Sequence, residues 1–375
     1  MTAHPSLVND SLLDVLRLIR TPNVGPVTFF HLFRYYGSAA EALRALPELA
    51  KRGGRKKPLV ACEKSVAEKE IEASERFGAR MVVFGAPDYP PLLAECVDAP
   101  PLLSLCGHAQ LWRNREVVAM VGARSASAAG CQLAQKLAKD LGAAGISVAS
   151  GLARGIDTFA HKGSLASGTI AVIASGIDTV YPPENEALFA QIRESGCLIS
   201  EQPFGQAPFA GAFPGRNRII AGMSLATLVV EASPKSGSLI TARLAAEYGR
   251  EVMAVPGSPL DPRSKGCNQL IKQGAVMVEG ADDVLQALIE LRGRFAEPRA
   301  PLPLGFAEPT AHSEEARERA RALVLEKLGY MPVAIDALVA QTHLDAPLVL
   351  AVLLELELAG IAQRSAGGKV ALVAE

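Results

Sequence analysis

Between Glu116 and Arg292 the chain alternates short, almost unbroken apolar runs with longer stretches of helical periodicity. The runs are "EVVAMVG", "ISVAS", "TIAVIAS", "CLISE", "ATLVVEAS", "EVMAVPG" and "VMVE". The helical stretches include "CQLAQKLAKDLGAAG", "NEALFAQIRESG", "SLITARLAAEYGR" and "DDVLQALIELR". A strand that is apolar on both faces needs cover on both, and alternating helices supply it. The pattern predicts an α/β fold, a Rossmann-like doubly wound, mostly parallel sheet over residues 116–292. Ligands of such a sheet belong at the carboxyl ends of its strands.

The flanks read differently. Residues 1–50 carry "SLLDVLRLI", a break at "TPNVGP", and "VTFFHLFRYYG", a small helical domain built on a helical hairpin. Residues 51–115 open with the basic run "KRGGRKK", read as a loop, either a solvated linker or a phosphate-contacting segment, and lead into the core. A Pro-rich linker is expected over 293–312. Residues 313–375 show three helical stretches and two short strands around Gly-Gly, a winged-helix domain. Its third helix offers Glu355 and Glu357 and no Lys or Arg, which favours a structural or protein-contact role over DNA reading.

Composition narrows the function classes. With 375 residues, 49% hydrophobic, 21% charged and a net charge of -1, the chain is an ordinary globular one, and any polyanion site must be a local patch. The six cysteines lie far apart, with no C-x-x-C pair, so neither a disulfide framework nor a metal site is expected. No leader pattern and no span-length apolar segment occurs, which predicts a cytoplasmic protein with no membrane contact.

Chemistry concentrates in four segments read as strand-to-helix turns: "VGARSAS" (121–127), "SGLARGIDTFAHKG" (150–163), "FPGRNRIIAG" (213–222) and "SPKSGSLITA" (233–242). Each joins glycine and small polar residues to a cation: Arg124, Arg154, Arg216 with Arg218, or Lys235. Glycine lets backbone N–H groups curl around an anion, a helix start adds its dipole, and arginine offers a fork matched to phosphate. Four such turns on one rim predict a long anionic groove. Neither G-x-x-x-x-G-K-[ST] nor a G-x-G-x-x-G after a strand is present, which moves weight from cofactor to polymer.

Catalytic candidates are thin. His161 stands four residues after Asp157, and no nucleophile pairs with it; local packing is the favoured role. Glu201 and Glu231 follow apolar strands, and either contact a base edge or sugar or, the favoured reading, hold rim arginines.

"SGLARGIDTFAH", "FPGRNRIIAG" and "SGSLITARLA", in that order, resemble the DprA/Smf family of DNA-processing proteins. "DYPPLLAECVDAPPLLSLCG" (88–107) is similar to the lead-in of that family's core, and "GCNQLIKQGA" (266–275) to its last binding-loop helix. The resemblance implies a SAM or helix-hairpin-helix-like N-terminal domain and a non-catalytic mediator of natural transformation. It implies a homodimer that binds incoming single-stranded DNA, displaces single-strand-binding protein and loads RecA recombinase, with no cofactor. Carried over by motif, the DNA-binding residues are Arg124, Ser125 and Ser127; Arg154 and Gly155; Arg216, Asn217 and Arg218; Lys235, Ser236, Gly237, Ser238 and Thr241; and Lys265 and Asn268. Asn217 either braces its turn or touches the strand. Bases either splay outwards or stack on Phe204, Phe209, Phe213 or Tyr181, rings for which a place in the core is the favoured role. Asn23 stands in the hairpin where glycine is common, and asparagine tolerates the left-handed conformation such a turn requires. Two other classes compete: a nucleotide phosphoribohydrolase, whose P-G-G-x-G-T-x-x-E element is here "PKSGSLITA" without the glutamate, and a nucleotide-sensing regulator.

Overall fold

A computed structural model of the chain describes residues 4–55, 59–295, 314–365 and 368–373. The chain divides into two compact units, one of Met1–Val8 with Lys69–Arg299 and one of Asn9–Glu68 with Ala300–Glu375.

The second unit begins with α1 (Leu12–Ile19), α2 (Pro26–Tyr36) and α3 (Ala39–Arg52). Pro26 starts α2 where a missing N–H costs nothing, Gly37 ends it at φ 80°, and the Ser38 hydroxyl accepts from Glu41 N to cap α3. Phe29, Phe30, Leu16, Leu18, Leu32 and Leu46 are fully buried. Part of the run read as a basic loop is helical, since Lys51 and Arg52 complete α3.

The first unit holds the sheet. After α4 (Lys64–Phe77) come β1 (Arg80–Val83), β2 (Leu102–Gly107), α5 (Gln110–Arg113), β3 (Val117–Val121), α6 (Ala128–Ala143), β4 (Ser147–Ser150) and α7 (Ile156–Ser164). Then follow β5 (Thr169–Val172), α8 (Glu186–Ser195), β6 (Cys197–Ser200), α9 (Ala212–Gly222), β7 (Ala226–Val229), α10 (Ser238–Glu247), β8 (Glu251–Ala254), α11 (Lys265–Lys272), β9 (Val276–Met277) and α12 (Ala281–Phe295). The strand order is β1-β2-β6-β5-β4-β3-β7-β8-β9, parallel from β6 to β9. Every residue of β3 through β7 is buried, as the unbroken apolar runs required. Helices α6, α7 and α12 share a core with the central strands, while α9 and α10 pack together elsewhere.

The lead-in over 51–115 is more than a lead-in. Its strands β1 and β2 join the sheet antiparallel, β2 against β6. They lack the strand–helix alternation that marked the others, because a Pro-rich loop with a single 3-10 turn (Leu93–Glu95) separates them instead of an α-helix. The Pro-rich stretch 296–312 lies outside the described residues, and 293–295 complete α12.

The second unit resumes with α13 (Glu314–Lys327), β10 (Val333–Ala334), α14 (Ile335–Thr342), α15 (Ala346–Ala359), β11 (Ala362–Ser365) and β12 (Lys369–Leu372). The three strands form a small sheet, and helix, turn, helix and wing follow in the expected order. Among the described residues no single helix is long and apolar enough to cross a membrane.

Candidate functional site

From β3 the chain runs outward through β4, β5 and β6, then returns to β7 on the other side of β3. The loops leaving β3 and β7 diverge, and a crevice opens at this switch point. It has a volume of about 570 Å³. Gly122–Ser125 line one side, Lys235–Ser238 and Thr241 another, and Phe213, Arg216 and Asn217 of α9 the floor between.

The first two turns are laced together. Ser127 caps α6 through Gly130 N (2.9 Å), and the Glu231 carboxylate takes both the Ser127 N–H (2.9 Å) and its hydroxyl. A Cβ on Gly130 would lie 2.5 Å from the Glu231 carboxylate. Glu231 therefore braces the turn through Ser127 instead of an arginine. Gly155 sits at φ 75° with a would-be Cβ only 2.2 Å from Ala123 O, while Ile156 N donates to that same carbonyl (3.2 Å). Arg124 is exposed, and its guanidinium stands 5.0 Å above the Phe213 ring, itself 5.7 Å from Tyr181.

The second turn holds Leu152 at φ 53°, a left-handed position a branched residue keeps only when its surroundings insist. Asp157 accepts from Gly151 N (3.1 Å), Asn185 Nδ2 donates to Leu152 O (2.9 Å), and His161 Nε2 accepts from Leu152 N (3.2 Å). His161 Nδ1 lies 2.9 Å from Thr169 Oγ1, whose own proton goes to Val148 O. Nδ1 must then carry the hydrogen, and the ring is neutral. Burial, reinforced by Arg216, takes its pKa from 6.5 to about 3. His161 is thus a turn-holding residue. The unfolded chain binds a proton near pH 6.5 that the folded chain refuses until about pH 3. Stability is accordingly full above pH 6.5 and falls with acidification by about 1.4 kcal/mol per pH unit. Urea midpoints at a series of pH values between 7 and 5 should show this slope in wild type and a shallower one in His161→Gln; equal slopes would refute it.

The third segment is not a turn. Helix α9 already begins at Ala212, so Arg216 and Arg218 stand inside it and not at its start. Arg216 is 4% exposed and donates through Nη1 to Gly151 O and Val172 O, at the carboxyl ends of β4 and β5. Burial lowers its pKa to about 10, against the pull of Asp157. Arg218 pairs with Glu201 and donates to Asp98 O. Asn217 Nδ2 reaches toward Gly237 O at 3.4 Å, a bracing contact between α9 and the fourth turn.

On that fourth turn Lys235 is exposed, the Ser236 and Ser238 hydroxyls lie 2.7 Å apart, and Thr241 is buried at the crevice wall. A Cβ on Gly237 would meet nothing within 4 Å. Arg154 is exposed near Glu184 (3.8 Å). Lys265 is exposed at the start of α11, and Asn268 clasps Gly257 through both its amide groups (3.1 and 2.8 Å). Phe204 packs edge-on against Phe77, and Phe209 is exposed. Arg263, missed in the sequence, also lines the crevice, paired with Asp261 (2.8 Å). Its loop, "PGSPLDPRSKG", is a further glycine-bearing cationic segment between a strand and a helix, and that pattern would have found it.

Fold and crevice define a doubly wound α/β ligand-binding protein, preceded in the chain by a helical domain and followed by a winged helix. The family of DNA recombination-mediator protein A matches residues 80–289, the DprA-like N-terminal HHH domain residues 9–73, and the DprA winged helix domain residues 308–368. The chain belongs to the DprA/Smf family of DNA-processing proteins. Protein Smf of Synechocystis is 34% identical over 92% of this chain and 94% of its own. DNA processing protein A of Streptococcus pneumoniae superposes with a TM-score of 0.64 at 34% identity, over 74% of this chain and 98% of that one. The protein from Helicobacter pylori, whose structure describes a single-stranded DNA binding mode, gives 0.52 at 27% identity, over 56% and 96%.

Proposed function

We propose that the crevice binds single-stranded DNA along its phosphate backbone and that the chain is a recombination mediator which, as a homodimer, hands that strand to RecA during transformation. One observation carries the DNA reading. Arg124 and Lys235 stand exposed on the two turns that flank the switch-point crevice, and among the described residues neither forms an ion pair. Cations left unpaired beside open backbone suit a polyanion. The Phe213 and Tyr181 rings at the same mouth suit unstacked bases, worth about 1–3 kcal/mol each. Among the described residues that line the crevice only Asp157 is a carboxylate, and it is buried and hydrogen-bonded to backbone.

Fluorescence anisotropy of an oligo-dT and an equal-length duplex across a salt series tests the reading. The single strand should bind more tightly, and Lys235→Ala or Arg124→Ala should each lower the slope of log affinity against log salt by about 0.7. Preference for duplex, or unchanged slopes, would sink it. The mediator step is tested by RecA assembly on DNA already coated with single-strand-binding protein. Added protein should shorten the lag; no change would remove RecA loading while leaving DNA binding intact.

A further inference from the structure

The helix-turn-helix of a winged domain reads DNA with its second helix, here α15. The C-terminal half of this α15 has no free face to do so. Glu355, Leu356, Glu357 and Leu358 are all buried, and four consecutive residues at about 100° each sweep the full circumference of a helix. One side belongs to the winged-helix core through Val349, Val352, Leu353 and Leu356. The other is covered by α2 and α3.

The contact is specific in its polar groups. Thr28 of α2 donates to Glu357 Oε2 (3.3 Å), and Arg364 Nε lies 2.9 Å from the other carboxylate oxygen. Asn23, in the hairpin between α1 and α2, sits at φ 64° and donates its side-chain amide to Leu358 O (3.2 Å). Arg55 donates to the same carbonyl (3.2 Å), so two side chains serve the C-terminal end of α15, where helix carbonyls lack partners. Gly53 lets the backbones close: a Cβ there would lie 2.0 Å from Glu355 O. The run "KRGGRKK" thus supplies, through Gly53 and Arg55, a seat for α15.

We propose that the C-terminal half of α15 is the docking surface for the chain's own N-terminal helical domain, and that this contact closes that half of the helix to nucleic acid. The missing cations of α15 follow, because a helix enclosed by protein gains nothing from Lys or Arg. So does Asn23, whose amide reaches a carbonyl that glycine cannot. The proposal is independent of what the crevice binds.

A protease site inserted between Leu302 and Pro303 of the full chain allows a direct test. After cleavage, the C-terminal fragment should co-elute with the remainder at micromolar concentration; separation would overturn the proposal. In the uncut protein, hydrogen exchange with saturating oligo-dT, and separately with duplex, should leave the Glu355–Leu358 end of α15 unchanged; its protection by DNA would overturn the proposal. Gly53→Leu should speed exchange of α15 and the hairpin together, by about tenfold or more. Acceleration of only one would show that they do not hold each other.

Discussion

Gly155→Ala should destabilise the α/β unit by about 3–5 kcal/mol, the sum of left-handed strain and a clash that backbone must relieve. The clashing atom is Ala123 O, on the neighbouring turn, and it is already engaged by Ile156 N. Neither partner is the end of a flexible side chain, so the two turns have to separate. A fall in the thermal midpoint of about 10 °C or more is expected for a unit of this size. Gly237→Ala is the companion measurement. Gly237 has φ -61° and open space around its would-be Cβ, so stability should stay within about 0.5 kcal/mol. Its position on the crevice gives the methyl a different consequence, because it stands where a phosphate would approach the backbone. Weaker oligo-dT binding with an unchanged midpoint is the expected result. If Gly155→Ala melts like wild type, the lacing of the first two turns is wrong.

What the sequence disclosed, and what it withheld, divides along the range of the interactions. The parallel strands were legible because burial on both faces forces an unbroken apolar run, as in Val117–Val121. Asn23 was legible because the left-handed conformation leaves a local mark, and its φ of 64° agrees. The four cationic segments are visible in the sequence, but not that Arg216 and Arg218 make their hydrogen bonds within the protein. The partners of Arg216 are carbonyls 65 and 44 residues away, and Arg218 reaches the carbonyl of Asp98 across 120. No local pattern announces an acceptor so distant. The same holds for α15: its lack of Lys and Arg was visible in "APLVLAVLLELELA", but its second partner lies more than 300 residues upstream.

Arg216 decides between the two readings of its motif. Arg216→Met keeps the length and apolar stem but strips the donors from Gly151 O and Val172 O and the countercharge from Asp157. Leaving buried carbonyl acceptors without their charged donor costs about 1–3 kcal/mol each, and Asp157 keeps its buried position with one nearby positive charge fewer. Burial already raises the Asp157 carboxyl above its usual range, with Arg216 pulling the other way. Without Arg216 the folded-state pKa rises further. A raised carboxyl pKa contributes stability that is present at low pH and lost as pH rises. The deficit of the variant relative to wild type should therefore be greatest near neutral pH and shrink on acidification, as Asp157 takes up its proton. The His161 slope is common to both proteins, and losing the Arg216 charge eases protonation of that ring, which shrinks the deficit in the same direction. A phosphate-contacting arginine predicts the reverse pattern: a variant as stable as wild type at every pH, with oligo-dT binding alone reduced. Denaturation midpoints and anisotropy on the same preparation separate the two, and equal midpoints would return Arg216 to the DNA.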